Sequence, residues 1–172
     1  MTTERPSLEA AVVIVGAGPA GLACGLRLAQ LLDEHREREP RLPAKDSIFI
    51  LEKGRETGAH LLSGAVLDPS ALDRLLPGWR ERAPIEAAVA DDAAFFLTSR
   101  RALRFPITPP PLRNHGNYVV SLNRLGKWLG EQVEAAGLTI FTATAGARLL
   151  FGERHAVIGV RTDDKGVDRR GE

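Results

Sequence analysis

The chain has 172 residues, 44% of them hydrophobic and 26% charged, with a formal net charge of +1. That composition suits a soluble globular domain with a real core, and it lacks the basic excess and the aromatic content that binding nucleic acid would call for. A single cysteine, Cys24, excludes an intrachain disulfide, a structural zinc site and a cysteine-ligated iron–sulfur cluster on this chain.

Ala11 to Val15 is a continuous apolar run ending in glycine, the pattern of a parallel strand buried on both faces. A helix follows from about Pro19 to Glu34, with Leu22, Leu26, Ala29 and Leu32 recurring at helical spacing and Pro19 suited to its first turn. Cys24 lies in this helix and reads as a small buried hydrophobe. Asp33 to Ser47 is a charged connection, and Ile48 to Leu51 is a second buried strand ending at Glu52. Gly54 to Val66 reads as a glycine-punctuated loop. Asp68 then caps a helix that carries Leu72, Leu75 and Leu76 and stops at Pro77-Gly78. Phe95 to Thr98 and Ala102 to Phe105 form a hairpin across Ser99-Arg100-Arg101, and Pro109-Pro110-Pro111 forbids regular structure. Tyr118 to Val120 is extended, and a helix from Ser121 to about Ala136 ends at Gly137. Leu138 to Phe141 is a third short strand. Arg148 to Phe151 and Ala156 to Arg161 are two more, before a polar tail from Asp163 to Glu172.

Two absences bear on location. No apolar run reaches the ~18–20 residues of a membrane span. The leader Met1 to Ala10 holds two glutamates and is too short for a signal or transit peptide, so a cytoplasmic, bacterial protein is expected.

The turn Gly16-Ala17-Gly18-Pro19-Ala20-Gly21 sits between the first strand and the first helix. In that context each glycine has a mechanical role. Gly16 permits the tight turn, Gly18 lets the backbone approach a pyrophosphate, and Gly21 allows close helix–strand packing. The helix N-terminus offers N–H groups and the positive end of its dipole. Glu52, at the end of the second strand, can accept hydrogen bonds from the ribose hydroxyls and would repel a 2′-phosphate. Residues 11–53 therefore read as the β-α-β unit of a dinucleotide site. FAD and NAD present the same adenosine diphosphate half to such a turn, and these residues alone leave both open. Asn114-His115-Gly116-Asn117 reads as a turn placing Tyr118. No serine–histidine–acid trio, carboxylate pair or metal-ligand set stands out, so no catalytic or metal-binding residue is assigned.

Three stretches resemble the electron-transfer flavoprotein–ubiquinone oxidoreductase family. They are Val12 to Leu22; Leu51-Glu52-Lys53-Gly54 with Gly58 to Pro69; and Asn114 to Leu122 with Trp128-Leu129-Gly130-Glu131-Gln132. The resemblance implies an α/β, Rossmann-like FAD-binding domain, three-layered with a mainly parallel sheet and inserted antiparallel strands at 95–120, incomplete at its C-terminus. It implies a loop beside the flavin within 54–82, with Lys53, His60, Ser63 and Gly64 joining Gly16–Gly21 and Glu52 as cofactor-binding residues. A helix and further strands fill 121–162. It further implies peripheral contact with the bacterial inner membrane, near 68–80, where leucines, arginines and Trp79 alternate; without the resemblance the same residues read as a core-facing amphipathic helix. In full-length relatives electrons pass from reduced electron-transfer flavoprotein through a 4Fe–4S cluster and FAD to ubiquinone. The cluster and quinone parts are expected outside this chain, which reads as an N-terminal portion with no activity alone. The alternatives are a reductase that holds FAD or NAD, alone or completed by another subunit, and a non-catalytic truncated remnant.

Overall fold

The computed structural model describes residues 6–164, so the first half of the leader and most of the polar tail lie outside the described residues. In chain order the elements are β1 (Val12–Val15), α1 (Pro19–His35), β2 (Ile48–Leu51), β3 (Ser63–Leu67), α2 (Ser70–Leu75), β4 (Ile85–Ala88), β5 (Phe95–Leu97), β6 (Ala102–Arg104), β7 (Tyr118–Ser121), α3 (Leu122–Ala135), β8 (Thr139–Phe141), β9 (Gly146–Phe151) and β10 (Val157–Thr162). They group into two units: residues up to Leu61 together with those from Gly126 onward, and Leu62–Leu125.

The first unit is built on a three-stranded sheet in the order β1-β2-β8. β1 and β2 pair parallel from Val12↔Ile48 to Val15↔Leu51, and β2 and β8 from Phe49↔Thr139 to Leu51↔Phe141. α1 buries Leu22, Gly25, Leu26, Ala29 and Leu32, one stripe at helical period. Gly25 marks the closest approach to the sheet: a Cβ there would stand 2.8 Å from Ile50 Cδ1 and 3.6 Å from Ile14 Cδ1. Cys24 departs from expectation, because it is exposed. One residue before Gly25, it is rotated about 100° off the buried stripe. The connection after α1 is tied back by Arg36, which donates to the carbonyls of Leu42 and Pro43, each at 2.8 Å. α3 ends at Gly137, whose φ of +92° needs glycine. β9 and β10 form an antiparallel hairpin that leaves Leu149, Leu150, Phe151, Val157 and Ile158 exposed.

The second unit is antiparallel: a three-stranded sheet in the order β3-β7-β4 and the separate hairpin β5-β6. Three of its features differ from the sequence reading. Ser63–Leu67 is a strand rather than loop, paired with β7 through a register shift between Ser63 and Ala65. Gly64, with φ +81°, sits in that bulge, and a strand broken by a bulged glycine carries no clean alternation. Ile85–Ala88 is also a strand, hidden because Glu86 and two alanines give no two-residue period. Pro110–Leu112 forms a single 3-10 turn, which tolerates proline at its start.

The stretch near 68–80 is exposed along most of its length and turns two residues inward. Leu72 is buried and Trp79 is fully buried. Trp79 Nε1 donates to Asp73 Oδ1 at 2.8 Å and its ring meets Tyr118 edge-on at 5.6 Å. Leu72 and Trp79 of the stripe are therefore core, while Leu75 and Leu76 are half-buried. An amphipathic helix looks the same in sequence whether its apolar face meets protein or lipid. The Asn114–Asn117 turn closes through Asn117 N–H to the Asn114 carbonyl at 2.9 Å, with Gly116 at φ +87°.

Candidate nucleotide site

The glycine turn leaves β1 at Gly16, whose φ is +103°. At Gly21 a Cβ would stand 2.0 Å from the Gly16 carbonyl oxygen, so the turn and the first helical residues fit only without that side chain. Gly18 differs from both. Its backbone is extended, φ −74° and ψ 175°, and a Cβ there would meet no atom within 4 Å. The described residues therefore leave the flank of Gly18 open, as a backbone that receives a ligand should. α1 starts at Pro19 with no side-chain cap and no acidic residue in its first turn. Its first N–H groups and its dipole are left for an anion.

Glu52 stands beside this turn. Its carboxylate is only 12% exposed. Oε2 accepts from Ala17 N–H at 2.9 Å and Oε1 from Gly54 N–H at 2.7 Å. The Glu52 backbone is held in turn by β8 and the turn after it: Glu52 N–H donates to the Phe141 carbonyl at 2.9 Å, and Thr144 N–H to the Glu52 carbonyl at 2.7 Å. A carboxylate has about four acceptor positions. Two are used by the backbone, and two are left for hydroxyl donors.

Of the residues singled out from sequence, the structure brings Gly16, Ala17, Gly18, Pro19, Ala20, Gly21 and Glu52 together at the C-terminal ends of β1 and β2. His60 joins them, its Nδ1 3.8 Å from Glu52 Oε1 and its side chain 60% exposed. Lys53 is exposed next to Glu52. Ser63 and Gly64 lie on β3 of the second unit, both exposed. Gly54 was not singled out from sequence, yet its N–H holds the carboxylate. Its place two residues after the acid, in a stretch that must double back, was the available signal. Arg124, in the first turn of α3, pairs with Glu86 at 2.7 Å. Among the described residues no group of histidine, cysteine and carboxylate side chains could hold a metal ion, and no helix is long and apolar enough to cross a membrane.

No family model matches the chain. Individual relatives do. The mitochondrial electron transfer flavoprotein–ubiquinone oxidoreductase of Dictyostelium discoideum is 43% identical over 97% of this chain, and that of Bos taurus is 45% identical over 98%. A probable electron transfer flavoprotein–ubiquinone oxidoreductase of Acinetobacter baylyi is 41% identical over the whole chain. The chain spans 26% of the length of the first two and 30% of the third. Among solved structures, the flavin-dependent monooxygenase PieE with FAD and substrate superposes with a TM-score of 0.61 at 19% identity, covering 87% of this chain and 26% of that one. CtdE in complex with FAD gives 0.55 at 19% identity, over 91% of this chain and 35% of that one. A geranylgeranyl bacteriochlorophyll reductase-like protein of Thermoplasma acidophilum gives 0.57 at 18%, over 88% and 34%. At these identities the likeness is one of fold, a Rossmann-like FAD domain.

Proposed function

We infer that the chain is the flavin-binding part of an electron-transfer flavoprotein–ubiquinone oxidoreductase, the family with which it shares 41–45% of its residues along nearly its full length. Its role is to hold the adenosine diphosphate half of FAD. The pyrophosphate lies on Gly16–Gly21 and the N-terminus of α1, and the ribose hydroxyls on Glu52, with Lys53 and His60 alongside. Ser63 and Gly64 are assigned to the flavin's surroundings by resemblance alone. Bound FAD supplies the redox chemistry, while the chain supplies position and electrostatics.

One observation carries the reading: a part-buried carboxylate bonded to the turn's own amide at Ala17, beside a glycine whose flank no atom of the described residues fills. The pair fits a ribose and a pyrophosphate joined in one ligand. The test is titration of the chain with FAD and with NADH. FAD is expected to bind the more tightly, and Glu52→Ala to weaken it by about 1.5–3 kcal/mol, the range for hydrogen bonds to a charged group. Equal affinity of variant and parent, or preference for NADH, overturns the reading.

In the whole enzyme this part takes a place between reduced electron-transfer flavoprotein and ubiquinone. A cluster of four irons would need cysteines that this sequence, with one, does not contain. Ubiquinone is a lipid-soluble substrate, so the enzyme must meet a membrane surface. Within this chain that surface is the β5-β6 hairpin rather than α2. Phe95, Phe96, Leu97, Leu103, Phe105 and Ile107 are all exposed, and Arg100 and Arg101 occupy the tip. A two-stranded ribbon is marginal in water unless its apolar residues find cover. An interface rich in anionic headgroups would cover the apolar residues and pair the arginines.

A further inference from the structure

We propose that Gly126 and Gly130 of α3 are positioning residues for the nucleotide site, seating the segment that follows Glu52 so that its carboxylate is held at the glycine turn. The proposal rests on the reading of Glu52 as a ribose ligand. Glycines four apart share one helix face, and a helix interior ordinarily favours alanine over glycine. Here the missing side chains make room. A Cβ on Gly130 would stand 2.6 Å from Thr57 Oγ1, 2.9 Å from Thr57 Cγ2 and 3.0 Å from Thr57 Cβ. A Cβ on Gly126 would stand 2.6 Å from Leu61 Cδ1 and 3.2 Å from Gly58 Cα.

The two positions differ in strictness. The Leu61 tip can swing aside, leaving the Gly58 Cα at 3.2 Å, whereas Thr57 presents its own Cβ at 3.0 Å, an atom that no side-chain rotation moves. Gly130 is therefore the stricter seat. Lys127 lies between the two glycines in sequence and pairs with Glu56 at 3.1 Å, an exposed pair that adds little.

Displacement at Thr57 has a short path to the site. Gly54 is packed so closely that a Cβ would stand 3.0 Å from Glu52 Oε1, 3.2 Å from the Glu56 carbonyl and 3.2 Å from His60 Nδ1. The turn between Glu56 and Leu61 is stiffened by Ala59 N–H to the Glu56 carbonyl at 3.4 Å and Leu61 N–H to the Gly58 carbonyl at 2.9 Å. Pushing this segment off α3 moves the Gly54 amide that holds Glu52 Oε1. The carboxylate then loses one of the two anchors that aim it.

The test uses the full 172-residue chain as parent, Gly130→Ala, Gly126→Ala, Thr57→Gly and Thr57→Gly/Gly130→Ala. Two quantities are read: FAD affinity by quenching of flavin fluorescence, and the rate of tryptic cleavage after Arg55 by mass spectrometry. Gly130→Ala is expected to weaken FAD about tenfold or more, as relief of overpacking by loop displacement implies, and to speed cleavage at Arg55 with an unchanged far-ultraviolet spectrum. Gly126→Ala acts in the same direction, less strongly. The double variant, which moves the extra carbon across the contact, returns both readouts to within about twofold of Thr57→Gly alone.

Parental affinity and cleavage in Gly130→Ala overturn the proposal, as does a double variant no better than Gly130→Ala. If the parent itself fails to bind FAD, the nucleotide reading falls, and cleavage at Arg55 alone decides the seating: an unchanged rate in Gly130→Ala overturns it. If Gly130→Ala does not fold, the milder Gly126→Ala and the double variant carry the same comparison.

Discussion

At Gly18 an added Cβ would meet no atom of the described residues within 4 Å, while at Gly21 it would stand 2.0 Å from the Gly16 carbonyl oxygen. The two glycines of one motif therefore separate by cause. Gly18→Val should cost the free protein only about 1 kcal/mol, the penalty of a branched residue at an N-cap, yet abolish FAD binding by filling the pyrophosphate's place. Gly21→Ala should destabilise the fold itself, at or beyond the top of the ~1–3 kcal/mol range for overpacking. Urea unfolding and FAD titration of the two variants check this, and parental affinity in Gly18→Val would show that the turn is not the phosphate site. The spacing of these glycines was legible in sequence, but which atom excludes each side chain was not. Cys24 shows the limit from the other side. Its hydrophobic character suggested burial, and only the phase of α1 against the sheet put it in solvent.

Elements were most legible where one periodicity ran long enough to dominate. α1 and α3 begin and end close to where their apolar stripes and Gly137 place them. β3 and β4 were not visible, because a bulged glycine in one and alanines in the other erase alternation. α2 was visible as a helix, but its neighbour across the apolar face was not. Trp79 and Tyr118 enclose Arg80, whose guanidinium lies 5.0 Å and 5.5 Å from the two ring centres. Arg80 forms a two-pronged pair with Asp73 and donates to the Tyr118 hydroxyl at 3.0 Å. The Arg80 hydrogen bonds, then the Trp79 indole N–H, hold the Asp73 carboxyl below the usual carboxylate range. A folded-state pKa below the unfolded value means stability that is present above the unfolded pKa and lost as pH falls through the folded one. Asp73→Asn should therefore melt below the parent at pH 7, and the gap should close as pH falls below about 4, the unfolded carboxylate value. A gap that stays constant down to pH 2–3 would remove the charged pair from the account. Thermal melts across that window decide it.

At the scale of the molecule, the chain carries two units with different sheets: parallel strands around the glycine turn, antiparallel strands between Leu62 and Leu125. Much of its exposed apolar surface lies on two hairpins, both with arginines, and the β5-β6 hairpin carries Arg100 and Arg101 at its tip. Vesicles containing phosphatidylglycerol should sediment the chain more strongly than neutral phosphatidylcholine vesicles. Phe96→Asp with Leu97→Asp should release it, and raised salt should weaken the binding in part, because the basic contribution is screened and the apolar one is not. Equal binding to neutral and anionic vesicles, or no loss in the double variant, would move the lipid contact elsewhere.

The sequence by itself determined the β-α-β unit, the order of glycines and acid around it, and the resemblance to one flavoprotein family, because each depends on neighbours close in the chain or on a motif read as a string. Tertiary structure decided what depends on residues far apart. It turned Trp79 inward, because Asp73 and Tyr118 could satisfy its N–H and its ring. It set Gly126 and Gly130 against Thr57 and Leu61, a contact no local pattern encodes. It also gave Glu52 its bond to Ala17, thirty-five positions away. Periodicity tells which face of an element is apolar; only packing tells what that face meets.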